Sequence, residues 1–497
     1  MSKNSSLTKL TSLYILGNLT SKIVNFGLFF LYTFYLSMSD LGFFDLIITS
    51  ITLIAPIVSL QVYDAVLRWL INEKERININ RVVSNSVIIM LISLAIFSFF
   101  YFIVWYFVDL RYGILIYVLL VLQPCYLLIP QIARGIGKSA VYALNGVVYS
   151  FSFLITASLF LGILKWKIEG LLIANILAIL ISLIFIFYKT SLLTYFKLSY
   201  FDKSLCRELI NYSIPLIPNT LSWWVIAASN RYFILYFYGT ALNGLFAIAL
   251  KLPTIVVMIS GIFTMAWIEK SIQVYNSDTR DEYYTSVFEK FFSLLFCAII
   301  FLISSTKPLL KLIVQSSYYE VWKLLPFLYL AVGFQALSSF YGTGYLNSKR
   351  TKEALYTTIY GAGVTVISGL MLIPFAGLIG ASISILLGYL VMFGVRAVKT
   401  REYFRIKLPI EKMIAINIIL IITSLITISD NIVILACNVI FSLLTFIFFN
   451  KKFLADYLKK MLGKKANAFL EIFYSKMGSV KFPFTSAVKG RGKVNSW

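Results

Sequence analysis

The chain contains no histidine among its 497 residues, and this absence excludes several kinds of chemistry. Ser-His-Asp and Cys-His catalysis, histidine-ligated zinc sites and histidine proton relays all require an imidazole ring. Charged residues are also scarce: they make up 13% of the chain, against about 25% in an average soluble protein. The scarcity of charge goes with 60% apolar residues, more than a water-soluble domain of this size could bury. Together these two properties exclude a secreted or cytosolic globular enzyme, a disordered chain and a coiled coil.

Cysteine is scarce as well, and its placement predicts no disulfide framework. The four cysteines are Cys125, Cys206, Cys297 and Cys437. Three of them fall within apolar runs, and no CxxC pair occurs. We therefore expect free, buried thiols and no metal site.

Apolar residues are abundant and account for 60% of the chain. A transmembrane helix needs about 20 mostly apolar residues, and windows of that length predict fourteen spans. The spans are 10–37, 44–71, 83–108, 113–133, 141–163, 169–188, 209–238, 242–268, 288–305, 322–346, 354–374, 377–396, 411–428 and 431–450. The sequence thus predicts an all-α polytopic membrane protein with both termini on one side.

The excess of positive charge predicts which side that is. The formal net charge is +23. With a cytoplasmic N-terminus, 34 Lys and Arg residues fall in inner segments and 6 in outer loops, when basic residues at the span ends are counted with the adjoining segment. Cytoplasmic segments are enriched in Lys and Arg, so both termini should be cytoplasmic, and the charge should face anionic lipid. We expect no nucleic-acid partner.

An internal repeat predicts two similar halves. Residues 39–44 (SDLGFF) parallel residues 241–246 (ALNGLF) at an offset of 202. Two further matches, with offsets of 211 and 210, are 137–138 with 348–349 and 169–171 with 379–381. We expect two six-helix bundles, 1–200 and 201–400, related by an axis along the membrane normal, a helix pair over 401–450 and a basic cytoplasmic tail over 451–497.

Apart from basic residues within two positions of a span end, four basic residues fall inside predicted spans: Lys22, Arg68, Arg231 and Lys251. A charge within hydrocarbon costs several kcal/mol even by the lower estimates, so such residues usually face a water-filled cavity or a partner. Their positions form a predicted ladder of cations on the first two helices of each half. A ladder of this kind favours an anion such as a lipid-linked diphosphate.

Structural explanations remain open for the same residues. Asp64 and Arg68 are four residues apart on one helical face and could simply pair with each other. Lys251 could extend its ammonium toward an interface, and Lys22 could do so less easily. Arg231, which follows Asn230, could be bound by backbone carbonyls alone.

Several short segments, taken together and in order, resemble the polysaccharide flippases of O-antigen and capsule type in the multidrug/oligosaccharidyl-lipid/polysaccharide export superfamily. The resemblance covers about residues 8–450. The segments are DAVLR at 64–68, PLIP at 215–218 with Trp224 and Asn230-Arg231 after it, ALKLP at 249–253, AW at 266–267 and IPFAGLIGA at 373–381.

The resemblance implies a transporter of the bacterial cytoplasmic membrane that uses no cofactor. It would move an oligosaccharide on a lipid carrier, typically undecaprenyl diphosphate, from the inner to the outer leaflet by alternating access. Membrane lipids, a polysaccharide polymerase and glycosyltransferases are the implied partners. The charged part of the substrate would fall on Lys22, Arg231 and Lys251. Arg68, Asp64 and Asn230 complete the candidate substrate-binding set. Many relatives have Asp-Arg where this chain has Asn230-Arg231, which would leave the arginine less neutralised.

Three other functional classes fit the sequence less well. A drug/cation antiporter of the same superfamily would need carboxylates within the membrane, where Asp64 is expected to stand alone, and Lys22 would repel cationic drugs. A polytopic polysaccharide polymerase usually carries a sizeable outer loop, whereas the longest predicted here, 306–321, has about 16 residues. A purely structural scaffold fits poorly with four cations inside spans.

Overall fold

The computed structural model describes residues 24, 27, 28, 31–71, 73–348 and 350–462. Across these residues the chain is helical, with short connections and no β-strand. The prediction of an all-α polytopic membrane protein is confirmed, because many of the helices are long and apolar enough to cross a bilayer.

The first half of the described chain begins with helical residues 31–35 and continues through six helices. They are α1 (Met38–Val58), α2 (Val62–Leu70), α3 (Arg76–Phe107), α4 (Gly113–Gly135), α5 (Ser139–Ser158, continued by a π-turn at Leu159–Ile163) and α6 (Lys167–Thr190). A short amphipathic helix, α7 (Lys203–Ser213), leads into the second half. Asp202 caps α7 by accepting hydrogen bonds from the first-turn amides.

The second half contains seven helices, and a helix pair follows it. The seven are α8 (Ile217–Ala228), α9 (Asn230–Tyr238), α10 (Thr240–Lys251), α11 (Thr254–Val274), α12 (Arg280–Ile313), α13 (Leu325–Asn347) and α14 (Thr351–Lys399). The pair consists of α15 (Ile410–Ile426) and α16 (Ile432–Leu462), and both of its helices pack against α12.

Several predicted spans are built from two helices. In the described chain, nine helices are long and apolar enough to span a membrane, or ten if a bent pair at 316–347 counts as one span. One of the nine is α14, whose two arms meet at Gly377 with φ 54°, the first residue of the span predicted at 377–396 and close to the end of the one predicted at 354–374. The count of fourteen spans stays a prediction.

Backbone breaks in the spans follow from proline and left-handed residues. Pro56 lacks an amide donor, and α1 ends soon after it, where Leu60 and Gln61 have φ values of 48° and 52°. Pro253 separates α10 from α11 in the same way. The unpaired backbone groups at such breaks must find partners inside the protein, because lipid offers none.

The two halves touch where α1 and α10 begin, and the contact is reciprocal. A Cβ atom on Gly42 would lie 1.9 Å from the carbonyl oxygen of Thr240, and one on Gly244 would lie 1.9 Å from that of Met38. The two glycines are 202 residues apart, and so are Met38 and Thr240, which is the offset found in the sequence repeat. Only glycine permits backbones to approach so closely. We call this contact the α1–α10 crossing.

Lys307 does not lie in an outer loop, as the span boundaries predicted, but is buried within α12 at 1% exposure. Its Nζ donates to the carbonyl oxygens of Ile428 and Ser429, at 2.8 and 3.0 Å, and to Asp430 Oδ1 at 2.8 Å. The ammonium also lies 4.0 Å from the ring centre of Trp322. Lys307 therefore ties the turn between α15 and α16 to the second half.

Replacing Lys307 by methionine should lower the free energy of unfolding by about 1–3 kcal/mol, because the carbonyls it serves lose their donor. Thermal unfolding in detergent measures this loss. Lys311→Met, one turn further along α12 at an exposed position, is the matched control and should have little effect. Equal losses in both variants would contradict the anchoring role.

The same contact has a pH dependence. The hydrogen bond from Lys307 holds the pKa of the Asp430 carboxyl below its usual range. A lowered pKa in the folded state stabilises the protein above the ordinary carboxyl pKa, and this contribution is lost as the pH falls through the folded value. The anchor of the helix pair should therefore weaken in acid.

Candidate functional site: a charged cleft between the halves

An ion pair joins the two halves at mid-chain. Arg231, in the first turn of α9, donates from Nε to Asp45 Oδ2 of α1 at 2.6 Å. One further donor of the same guanidinium, Nη1, binds the Ala227 carbonyl at 3.0 Å. Both side chains are largely buried, with 13% exposure for the arginine and 15% for the aspartate. The pair is therefore shielded from bulk solvent. An interaction between opposite charges is stronger in such a shielded place than in water.

Lys251, at the end of α10, belongs to the same charged group. Its ammonium interacts electrostatically with Asp45 and with Arg231. Its side chain is exposed, whereas the two side chains with which it interacts are largely buried. Lys251 therefore borders an opening beside the ion pair. Two cations and one carboxylate leave a net charge of +1 there.

Neighbouring residues indicate the extent of this opening. Ala227 is exposed although it lies one helical turn from Arg231, on the face turned toward α1. Thr52 on α1 is exposed as well and contacts α8 from the opposite side. Exposure on faces that the two halves turn toward each other requires space between them. We call this space the interlobe cleft.

Hydrogen bonds line one side of the cleft. Tyr232 Oη and Ser50 Oγ lie 2.8 Å apart. Trp224 Nε1 donates to the Thr49 carbonyl and to Thr52 Oγ1, both at 3.2 Å. Toward the other end of the span, Gln61 donates to Thr220 Oγ1 at 2.9 Å. These contacts thus join α1 and the residues just after it to α8 and α9 along one side of the cleft.

Asn230 does not share the cleft with its neighbour Arg231. It is 1% exposed, and its Nδ2 donates to the Ala381 carbonyl at 2.9 Å and to Ser384 Oγ at 2.5 Å. These contacts fasten α9 to the second arm of α14. A side chain sealed between two helices cannot touch a substrate in the cleft, so the contacts of Asn230 favour a packing role.

Asp64 and Arg68 do not form the ion pair that their spacing allowed, although both lie in the described chain. Asp64 Oδ2 accepts from Gln61 Nε2 at 2.8 Å. Arg68 lies over the ring of Tyr212 on α7, with 5.1 Å between Cζ and the ring centre. The arginine therefore contacts the helix that connects the halves.

Lys22 lies outside the described residues, so the full ladder of four cations stays a prediction. Of the six candidate residues, Arg231 and Lys251 meet in the cleft. Asp45 was not among the candidates. Its signal was its place inside the span predicted at 44–71, where Asp64 was wrongly taken to be the lone carboxylate. Asp45 also supplies the neutralisation that Asn230 was expected to leave missing.

One more buried cation lies outside the cleft. Arg396, in the second arm of α14, is 4% exposed. Its guanidinium donates to Thr357 Oγ1, the Ser338 carbonyl and Thr358 Oγ1 at 3.0–3.1 Å. Neutral acceptors on α13 and on both arms of α14 surround it, so it joins three helical segments of the second half. The sequence did not predict this burial, because Arg396 stands at the end of the span predicted at 377–396.

The fold is that of the transporters of the MOP superfamily. The lipid II flippase MurJ in an inward closed conformation has a TM-score of 0.69 over 90% of this chain and 99% of its own, at 14% identity. An inward-facing multidrug resistance MATE transporter has a TM-score of 0.62 over 79% and 94%, at 16% identity. A MOP transporter from Pyrococcus furiosus, described as having a binding pocket of reversed polarity, has a TM-score of 0.57 over 80% and 94%, at 14% identity.

The sequence itself assigns the family. Residues 7–268 match the family described as polysaccharide biosynthesis protein, and this match covers more than half of the chain. The protein belongs to that family and is a multi-pass membrane protein with a transporter fold. The structural neighbours named above are transporters, and one of them is a flippase. Comparison with curated protein sequences gives no match.

Proposed function

We propose that the protein is a flippase that moves a lipid-diphosphate-linked oligosaccharide from the inner to the outer leaflet of a bacterial cytoplasmic membrane. The observation that carries this proposal is the group of Asp45, Arg231 and Lys251 in the interlobe cleft. Its net positive charge suits a diphosphate, and guanidinium and ammonium groups both bind phosphate oxygens through charge-assisted hydrogen bonds.

Asp45 stabilises the positive charge of this group when no substrate is bound. An isolated Arg231 at this depth would carry the full cost of an unpaired charge, and its contact with the carboxylate offsets that cost. A diphosphate that enters the cleft would compete with Asp45 for the same donors. Binding of substrate would therefore loosen a contact that joins the two halves, which links substrate binding to their relative movement.

The direction of access follows from the charge distribution along the chain. The excess of Lys and Arg on one set of connections assigns the α1–α10 crossing to the outer side. That crossing is closed, so the cleft of this conformation would be sealed from outside. A substrate made in the cytoplasm would then enter from the inner side, and its lipid chain would stay in the bilayer.

A vesicle assay tests the proposal directly. Purified protein is reconstituted with fluorescently labelled undecaprenyl diphosphate that carries a disaccharide. A membrane-impermeant reagent that destroys the label should consume the inner-leaflet pool only in vesicles that contain the protein, because only there does the lipid move to the outer leaflet. Labelled phosphatidylcholine is the control lipid and should stay protected. Protection of the diphosphate lipid, or equal movement of both lipids, would contradict the proposal.

The charge of the cleft argues against the antiporter alternative. Cationic drugs would meet two positive side chains and a carboxylate that is already paired with one of them. We therefore retain the flippase as the function that the geometry supports best.

A further inference from the structure

We propose that Trp224 and Tyr232 form an aromatic platform in the interlobe cleft that binds the first sugar of the substrate. This inference rests on the proposed function, because it places the saccharide of the same lipid-linked molecule. We call these two residues the platform.

The two rings are neighbours on the wall of the cleft. Their centroids are 5.8 Å apart, with an angle of 50° between the ring planes. Both side chains are partly exposed, and the exposed Thr52 lies beside the indole. The platform is thus accessible from the cleft and is not sealed in a helix contact.

The polar edge of each ring is already occupied. The Trp224 indole N–H is bound by α1 at two oxygens, and the Tyr232 hydroxyl lies within hydrogen-bonding distance of Ser50. These contacts fix the ring orientations, so that little rotamer freedom remains to be lost on binding. What the rings still offer to a ligand is their apolar faces.

A sugar ring suits such a surface. A pyranose has a face of C–H groups and a rim of hydroxyls, and aromatic faces carry the negative part of the ring quadrupole, which attracts C–H groups. Aromatic walls with a few hydroxyls are typical of small-molecule sites. The hydroxyl of Thr52 stands at the rim of the platform, where it can meet the hydroxyls of a sugar.

The spacing from the charged group matches a sugar attached to a diphosphate. Trp224 precedes Arg231 by seven residues, which corresponds to about 10 Å along a helix. A diphosphate held at Arg231 and Lys251 would therefore place its first sugar along α8 toward Trp224. The charges would hold the part that every such lipid shares, and the platform would distinguish lipids that carry sugar.

The chain offers a matched control on the same helix. Trp223 is adjacent in sequence but faces the interior of the second half, where it packs 6.2 Å from Tyr389 and 5.6 Å from the guanidinium of Arg396. Leucine at position 223 removes an indole from α8 without touching the cleft. Leucine at position 224 removes the platform.

The test compares binding of bare undecaprenyl diphosphate with binding of a panel of the same lipid carrying one or two sugars. Native mass spectrometry of the purified full chain gives both affinities. For the wild type we expect the best sugar-bearing lipid to bind about fivefold or more tightly than the bare lipid, as one aromatic contact allows. Trp224→Leu should abolish this preference and keep binding of the bare lipid. Trp224→Phe should retain most of the preference, and Trp223→Leu all of it.

Each other outcome overturns the inference in a distinguishable way. An unchanged preference in Trp224→Leu, or its loss in Trp223→Leu, would remove the platform from sugar binding and leave the proposed function intact. The same holds if the wild type binds bare and sugar-bearing lipids equally. A wild type that binds neither would overturn the proposed function and the platform with it. Thermal unfolding of each variant confirms that the fold survives the substitution.

Discussion

Replacing Arg231 by alanine should strongly reduce export of the lipid-linked oligosaccharide while the protein still inserts into the membrane. The guanidinium is the side chain in the cleft that holds Asp45, and its charge is the counter-charge proposed for the diphosphate. Loss of a hydrogen bond to a charged group costs about 1.5–3 kcal/mol, which corresponds to a loss of affinity of roughly tenfold or more. The vesicle assay and polymer display on cells both measure the effect.

Lys251→Ala should act in the same direction, because the ammonium contributes to the same positive group. Arg111→Ala is the matched control, since Arg111 is exposed and contacts the rings of Phe43 and Tyr112 outside the cleft. This control should export normally. Wild-type export by both cleft variants would remove the cations from the mechanism.

Asp45→Asn separates a binding role from a purely structural one. If the ion pair with Arg231 only stabilises the fold, loss of either partner should damage the protein alike. If Asp45 competes with the substrate, its neutralisation should tighten binding of undecaprenyl diphosphate, whereas Arg231→Ala weakens it. Opposite signs for the two variants in the binding measurement support the anion site.

Local features of the fold could be predicted because they depend on adjacent residues. Runs of apolar residues set the spans, and their length is a property of the bilayer rather than of the tertiary structure. The break at Gly377 coincides with the boundary of two predicted spans, because the combined apolar run is too long for a single crossing of the bilayer. Pro253 likewise marked the place where α10 ends, since proline cannot donate the helical hydrogen bond.

The charged group itself required the three-dimensional structure. Asp45 and Arg231 are 186 residues apart, and nothing in the residues around either one names the other as a partner. Asp64 and Arg68 show the converse error. Their helical spacing allowed a pair, but Gln61 and Tyr212, brought in by the break after α1 and by the connecting helix, provide the contacts instead.

The sequence did not predict the last turns of α12, because a charged residue lies among them. Lys307 lowers the hydropathy of the segment, so the predicted span stopped just before it. The structure continues the helix because the ammonium finds three oxygen acceptors in the turn after α15 and the aromatic face of Trp322. A buried lysine with a complete set of partners cannot be distinguished from a loop lysine by hydropathy alone.

Substituting Gly244 by alanine should prevent the α1–α10 crossing from closing and so stop transport. The added Cβ would lie 1.9 Å from the Met38 carbonyl oxygen. Neither atom can move away by a side-chain rotation, because the oxygen is a backbone atom and the Cβ is bonded directly to one. Overpacking of this kind costs about 1–3 kcal/mol, which lowers the population of the closed state roughly five- to hundredfold. The protein should shift to a conformation that is open on the side of the crossing.

A cysteine placed at Thr52, in a chain whose four native cysteines are replaced, reports this shift through its reaction with a membrane-impermeant thiol reagent. The reaction from the outer side should be faster with Gly244→Ala than with Gly244 retained. Gly261→Ala is the control in the same span, because a Cβ there meets nothing within 4 Å and alanine favours helix more than glycine does. Since the contact is reciprocal, Gly42→Ala should reproduce the result of Gly244→Ala. If neither glycine variant changes thiol access or transport, the crossing is not the outer gate, and the coupling between the charged group and the movement of the halves must run through the α1–α8 side instead.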